Sequence, residues 1–461
     1  MGRAIVIRGD AAHLPLADES VDLIVSSPPY FNLRSYSDGG VHYNAQIGSE
    51  ATPQEFIDSL LTCTAEWGRV LKRSGSIFIN LGDTYSSWQG ERKSHPRDIS
   101  GQRQSRGEGG GFIRGAPRIW GIPPKSLIGI PWRYALACVD ELGLILRRDI
   151  IWSKKNSMPE SVKDRARTSH EYIFHLVKQQ RYYSAVDEIR EEHTPESFAR
   201  FAPGQKQAGL SRRSDYGGQP AHTFSLENSL HPLGSLPGSV WEFPIQPLIG
   251  PQCRLVWDGR TIRWFPTWED GERHMRMLAR EWWAWPAGSG RPSLRPEEQH
   301  YAAFPFELSR RAILGWSPPG ICTACGQGRR PVSVVTGVHA TGFDTRIVPM
   351  SRDTVHGHDG RGGQKILTRR GITGYACDCP DTFAPTRPSV ILDPFGGTGS
   401  SALVAAANGR IGITVDYSHS YSRFARWRTG DVSERAKAMQ VRKPPSPPDT
   451  RQEALFDVEE L

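Results

Sequence analysis

Residues 389–418, SVILDPFGGTGSSALVAAANGRIGITVDYS, constrain this chain more than any other stretch. An aliphatic run ends in Asp393, Pro394 and Phe395. Gly396, Gly397 and Gly399 follow, and then an alanine-rich segment with Gly409 just past its end, as a helix C-cap should be. A second aliphatic run closes on Asp416. This is strand, glycine turn, helix, strand, so the fold must contain an α/β sheet. The glycines let the backbone turn sharply and come close to a ligand. Asp416 stands at the offset where an acidic side chain accepts hydrogen bonds from ribose hydroxyls. The loop lacks the Gly-Lys-Ser/Thr of a phosphate loop, which argues against nucleoside triphosphate hydrolysis. Asp393 beside the glycines suits a cationic group, such as the ammonium of an amino-acid moiety.

The opening of the chain has the same character. AIVIRGD (4–10) and VDLIVSS (21–27) predict strands, 53–72 a helix, 75–83 a strand and 126–142 a helix after Pro131. LILRRDIIWSK and HEYIFHLVK predict two further strands. The alternation predicts a doubly wound sheet with helices on both faces. The strand at 21–26 runs into Ser27, Pro28, Pro29 and Tyr30. The two prolines cannot donate to a ladder and must end it. Ligands of open α/β sheets bind beyond the carboxyl ends of strands, where this rigid tip would sit.

Between these ends the pattern breaks. Residues 86–123 are rich in Gly, Arg, Ser and Gln, and predict a mobile basic loop, either a flap that orders on a phosphate backbone or a disordered insertion. Residues 186–298 are polar and proline-rich, with tryptophans in WFPTWED and EWWAWPAG among many arginines. Such interleaving suits a nucleic-acid surface or the core of a small domain. The net charge of +8 favours an acidic partner, nucleic acid first. No signal sequence opens the chain, and its most apolar stretch is broken by Arg133, Asp140, Glu141, Arg147, Arg148 and Asp149, so a cytoplasmic protein without membrane spans is expected.

Seven cysteines in 461 residues do not make a disulfide scaffold. Cys322 and Cys325 stand in C-x-x-C spacing, and Cys377 and Cys379 in C-x-C. Four thiolates in two close pairs can build a tetrahedral structural zinc site, with free or redox thiols as the other reading. Cys63 and Cys138 lie on apolar helical faces and are expected to be buried; Cys253 has no evident partner.

DPFGGTG (393–399) resembles the S-adenosylmethionine-binding motif of the DNA amino-methyltransferases, and SPPY (27–30) resembles their catalytic motif. Their order along the chain resembles the circularly permuted β class of that family. IIWSKKNSMPESVKDRARTSHEYIFHL (150–176), GSVWEFPI and QHYAAFPFELSRRAI (299–313) add to the resemblance. It implies that Ser27 and the Pro28 carbonyl accept the protons of an exocyclic amine. Pro29 would help to fix them, and Tyr30 would stack on a base flipped from double-stranded DNA. It implies that the glycine loop, Asp416, Phe304 and Pro305 hold the cofactor, with Asp10 near its adenine. Asp10 also fits a structural cap, and Asp83 and Asn156 fit either a pocket or a turn. Serine at 27 accompanies cytosine N4 methylation more often than adenine N6 methylation in that family. The missing Pro-Cys pair argues against cytosine C5 methylation, which needs a cysteine nucleophile.

The expected organisation is a Rossmann-like methyltransferase domain from 1–185 and 387–430, with 299–316 on the cofactor side. Target recognition falls to 186–298, a zinc-binding insertion to 317–386 and a flexible tail to 431–461. The expected activity is methylation of cytosine N4 in DNA, alongside a possible partner restriction endonuclease. Rivals are N6-adenine methylation, methylation of RNA or a protein amide, and an inactive zinc-dependent DNA-binding module.

Overall fold

The computed structural model describes residues 2–32, 46–86, 122–157, 160, 162–194, 196–197, 230–244, 305–341, 365–381 and 384–439. It also describes the backbone of two short strand pairs, Ser37–Asp38 with Val41–His42 and Leu255–Trp257 with Ile262–Trp264. Most of the expected basic loop, most of the expected target-recognition region, Phe304, Cys253 and residues 440–461 lie outside the described residues.

In chain order the main elements are β1 (Arg3–Arg8), β2 (Val21–Ser26), α1 (Pro53–Val70), β3 (Leu71–Leu81), α2 (Ile130–Asp140), β4 (Ile145–Ser153), β5 (His170–Val177) and β6 (Val240–Glu242). They continue with α3 (Phe306–Trp316), β7 (Arg330–Thr341), β8 (Lys365–Ala376), β9 (Val390–Asp393), α4 (Ser400–Ala407), β10 (Ile411–Asp416), α5 (His419–Gly430) and α6 (Val432–Met439). Eight strands form one sheet in the order β1-β10-β9-β2-β3-β5-β4-β6. The two chain ends are therefore interleaved in a single sheet, with β9 between β10 and β2.

β1, β10, β9, β2 and β3 run parallel. β5 runs antiparallel to both β3 and β4, so the sheet, which carries helices on both faces as the sequence predicts, is mixed. The cause is the connection from Ser153 to His170, which holds no helix among its described residues. A parallel return needs a crossover element; an antiparallel one does not.

β2 shows why the core closes on both faces. All six of its residues are buried. Val21 and Ile24 pack with α1 and α2, around Phe56, Leu60, Trp67 and Tyr134. Leu23 and Val25 pack on the other side, with Ile313 of α3 and Leu403 and Val404 of α4. Each such aliphatic side chain contributes about 1.5–3 kcal/mol by leaving water, so a slip of register would gain nothing on either face. α1 begins with a capping box: Glu55 N–H donates to Thr52 Oγ1, and the Glu55 carboxylate accepts from Thr52 N–H.

Residues 432–439 of the expected flexible tail form a packed helix. Glu434 N–H donates to Asp431 Oδ1, which starts α6, and Ala438 is fully buried against the α4 side of the core. An eight-residue helix is too short for its periodicity to show in sequence.

Candidate active site

Parallel strands bring their carboxyl ends to one edge of a sheet. The ends of β1, β10, β9, β2 and β3 meet there, so the glycine loop after β9 and the SPPY tip after β2 are neighbours. The joint is a hydrogen bond: Ser26 Oγ donates to Asp393 Oδ1 at 2.8 Å, across 367 positions of sequence. Asp393 Oδ1 also accepts from Phe395 N–H, and Oδ2 accepts from Ser401 Oγ at 2.8 Å. Asp393 is 5 % exposed. Its described partners are all protein donors, so in this structure it ties β2, its own loop and the start of α4 together.

Burial pushes the Asp393 carboxyl up to about 6, against the pull of its serine and amide donors. Its ordinary value is 3.8. The folded protein therefore holds a proton that the unfolded chain releases between these values. The group's stabilisation is fully present below the unfolded value and is lost as pH rises through about 6. A shift of this size corresponds to about 3 kcal/mol at most. Asp393→Asn is expected to flatten the pH dependence of urea unfolding between pH 4 and pH 7. An unchanged slope would contradict the burial described.

Beyond the joint, Ser27 Oγ donates to Tyr30 Oη at 3.4 Å, and Tyr30 Oη donates to Glu171 Oε2 at 2.7 Å. Asn80 Nδ2, at the end of β3, donates to both Tyr30 Oη and Glu171 Oε2 at 2.7 Å. Lys154 forms a short ion pair with Glu171 Oε1. Pro28 is buried, and Pro29 and Tyr30 are half-buried. Gly82 lies under the tyrosine ring, where a Cβ would stand 2.7 Å from Tyr30 Cε2. Sequence reading missed Asn80, Lys154 and Glu171. Their signal was present, since each sits at the end of a strand aimed at the same edge, but a single polar residue there reads equally as a strand terminus.

The glycine loop is held from three sides. Gly396 N–H donates to the Val415 carbonyl at 2.9 Å, and Gly397 N–H to Asp416 Oδ2 at 2.9 Å. Asp416 Oδ1 accepts from Ser418 N–H at 2.8 Å. Buried Arg428 donates to Thr398 Oγ1 at 2.9 Å and Ser400 Oγ at 2.8 Å, and pairs with Glu434 at 2.9 Å. Arg428 and Glu434, from α5 and α6, are further residues that sequence reading did not single out. Phe395 packs edge-on against Trp67 at 5.8 Å, and Pro394 lies between it and Asp393.

The chemistry of this edge fits S-adenosylmethionine. Asp416 is a half-buried carboxylate at the end of β10, beside the glycine loop that donates to it. Gly396 leaves no room for a side chain of its own, so the loop presents bare backbone. Pro305 is buried and sets the start of α3, its carbonyl accepting from Leu308 N–H at 3.1 Å. Asp10 caps its own turn, accepting from Ala12 N–H at 2.9 Å and contacting His13 Nδ1 at 3.2 Å. Asp83 caps α2 through the N–H groups of Gly129 and Ile130, so the turn-and-cap reading describes its contacts; burial raises its pKa. Asn156 lies in the turn after β4.

Away from this edge, Cys322, Cys325 and Cys377 gather with all Sγ atoms within 4.8 Å of one another. Cys379 is outside that group, although the spacing predicts a fourth ligand there. Cys63 and Cys138 are buried, and burial pushes each thiol up to about 12.

Fold and site together define an α/β protein with a glycine loop and a proline-locked tip at one sheet edge. A family model described as DNA methylase, of the N6/N4 type, matches residues 21–323, well over half of the chain. The chain belongs to that family. Among its relatives, Type II methyltransferase M.Cfr9I of Citrobacter freundii is 39 % identical over 201 residues, 42 % of this chain and 61 % of that protein. Type II methyltransferase M.SmaI of Serratia marcescens is 40 % identical over 188 residues, 40 % of this chain and 60 % of that protein. The matches thus span about three-fifths of these relatives. Among solved structures, PvuII DNA methyltransferase (cytosine-N4-specific) aligns over 95 % of this chain and 91 % of that one, at 13 % identity and a TM-score of 0.44. At that score the likeness supports nothing further.

Proposed function

We propose that this protein methylates the exocyclic N4 of cytosine in double-stranded DNA, using S-adenosylmethionine. The observation that carries the reading is the Ser26–Asp393 hydrogen bond, which sets the SPPY tip against the glycine loop. The family and the two Type II relatives supply the substrate class. Residues of the loop after β9, with Asp416 and Pro305, would hold the cofactor. Bound there, it supplies an electrophilic sulfonium methyl group.

An exocyclic amine is a poor nucleophile, because its lone pair is delocalised into the base. It must pyramidalise to attack. Ser27 Oγ and the Pro28 carbonyl accept its two protons and favour that geometry. The chain Ser27→Tyr30→Glu171 supports this role. With its own proton directed at Tyr30, Ser27 keeps its lone pairs for the amine. Glu171 at the far end answers the positive charge that grows on nitrogen, and Lys154 holds Glu171 in place. Pro28 and Pro29 fix the carbonyl with little freedom. Tyr30 receives the base, which must leave the duplex to reach it.

Serine at 27, with the family resemblance, favours cytosine over adenine. The interleaving of both chain ends around β9 and β2 supports a circularly permuted arrangement. Arginines and lysines would neutralise phosphates, making affinity salt-dependent. A partner restriction endonuclease and a cytoplasmic setting belong to this reading. Among the described residues no helix is long and apolar enough to cross a membrane. Zinc has no step in this chemistry and enters the reading only as a structural ion.

The test is incubation with unmethylated duplex DNA and methyl-labelled cofactor. Label in the duplex at a fixed sequence context is expected. Label only in RNA or protein, or none, would remove the reading.

A further inference from the structure

We propose that Cys322, Cys325 and Cys377, completed by Cys379, form a sulfur-only zinc site that staples the root of the β7–β8 hairpin. The Sγ atoms of Cys325 and Cys377 stand 3.7 Å apart. Zinc–sulfur bonds of about 2.3 Å set the edge of a tetrahedron at about 3.8 Å. All four cysteines are free of disulfides. The turn at Cys322–Cys325 is already closed. Cys322 N–H donates to the Gln327 carbonyl at 2.9 Å, and Gly326 N–H donates to the Cys322 carbonyl at 2.9 Å. Gly326 takes φ +74°, which lets the chain turn back at once. Each thiol gives up its proton when the metal binds.

Cys379 is two positions past Cys377, so chain geometry keeps their Cα atoms within about 7 Å. Asp378 stands between them, its N–H 3.4 Å from Gln327 Oε1 beside the Cys322 turn, so Cys379 is the thiol placed to complete the site.

The position of the cluster gives the metal its purpose. Cys322 and Cys325 precede β7, and Cys377 directly follows β8. The two strands pair from Arg330↔Ala376 to Thr341↔Lys365. A two-stranded ribbon of this kind is marginal in water unless something else holds it. Valines 332 and 334 are exposed on it, so little apolar burial helps there. A metal at the root fixes the ends of both strands.

The experiment is metal analysis of the full-length protein purified without added zinc or chelator. One zinc per chain is expected, and Cys322→Ser and Cys377→Ser are expected to lose it. Cys379→Ser is expected to keep the metal but surrender it at least tenfold faster to a chelating dye. Cobalt(II) exchanged into the unaltered protein is expected to give the absorption of a tetrahedral thiolate site, which needs no variant to fold. Removing the metal is expected to speed proteolysis within 330–376 at least tenfold. A metal-free native protein, a disulfide among these cysteines, or full zinc in Cys322→Ser would overturn the site. An unchanged exchange rate in Cys379→Ser would overturn the fourth ligand. Metal content is independent of methyl transfer, so either reading can fail alone.

Discussion

Gly396→Ala is expected to abolish cofactor binding and with it any methyl transfer. A Cβ at 396 would lie 1.5 Å from Thr414 Oγ1 and 2.7 Å from Thr414 Cβ, and 3.2 Å from the Asp393 carbonyl. Neither side can yield cheaply. Thr414 is on β10 in the middle of the parallel sheet, and the Asp393 carbonyl ends β9 beside it. Overpacking of this kind costs about 1–3 kcal/mol in stability. The larger effect is on the site, because the loop must lift away from β10 and break the Gly396–Val415 hydrogen bond. Cofactor affinity by calorimetry is expected to fall at least a hundredfold. Thr414→Ala should be nearly harmless alone, since Thr414 Oγ1 is buried without a hydrogen-bond partner. Combined with Gly396→Ala it should recover part of the affinity. A Gly396→Ala protein that binds cofactor normally would mean that the loop does not hold it.

The second large effect is expected at Glu171. Its carboxylate takes Tyr30, Asn80 and Lys154 together, and both it and Lys154 are mostly buried. Glu171→Gln keeps the shape but cannot accept at both oxygens. Each hydrogen bond to a charged group contributes about 1.5–3 kcal/mol, so a fall in kcat of about 10–100-fold is expected. The KM for the cofactor should stay within a few-fold, because the glycine loop is held separately by Arg428. Tyr30→Phe should lower kcat as well, and the double variant should be little worse than either single one. Fully additive losses would show that the two residues do not act through one hydrogen-bond chain.

The parts of this molecule that a local signal specifies were legible in the sequence. The glycine loop, the strand into SPPY and the helix at 53–70 each carry their own period and punctuation. What could not be read were relations between distant residues. Beside the glycines Asp393 reads as a partner for a cation; that it also joins β2 to the start of α4, through its 2.8 Å contacts with Ser26 and Ser401, had no signal in the sequence. Glu171 looked like one polar residue at the start of an apolar strand. The antiparallel β5 was hidden because pairing direction is set by what lies between strands, not by the strands themselves. The short α6 had too few turns to show a stripe, yet it brings Glu434 to Arg428 and so reaches the glycine loop. Cysteine spacing reported proximity well, and gathered three of four thiols.

Mass spectrometry of nucleosides released from treated duplex DNA tests the central claim most directly. With Ser27 and the Pro28 carbonyl in the roles proposed for them, N4-methylcytosine is expected and adenine stays unmodified. N6-methyladenine in its place, or 5-methylcytosine, or no methylated base at all, would contradict the account.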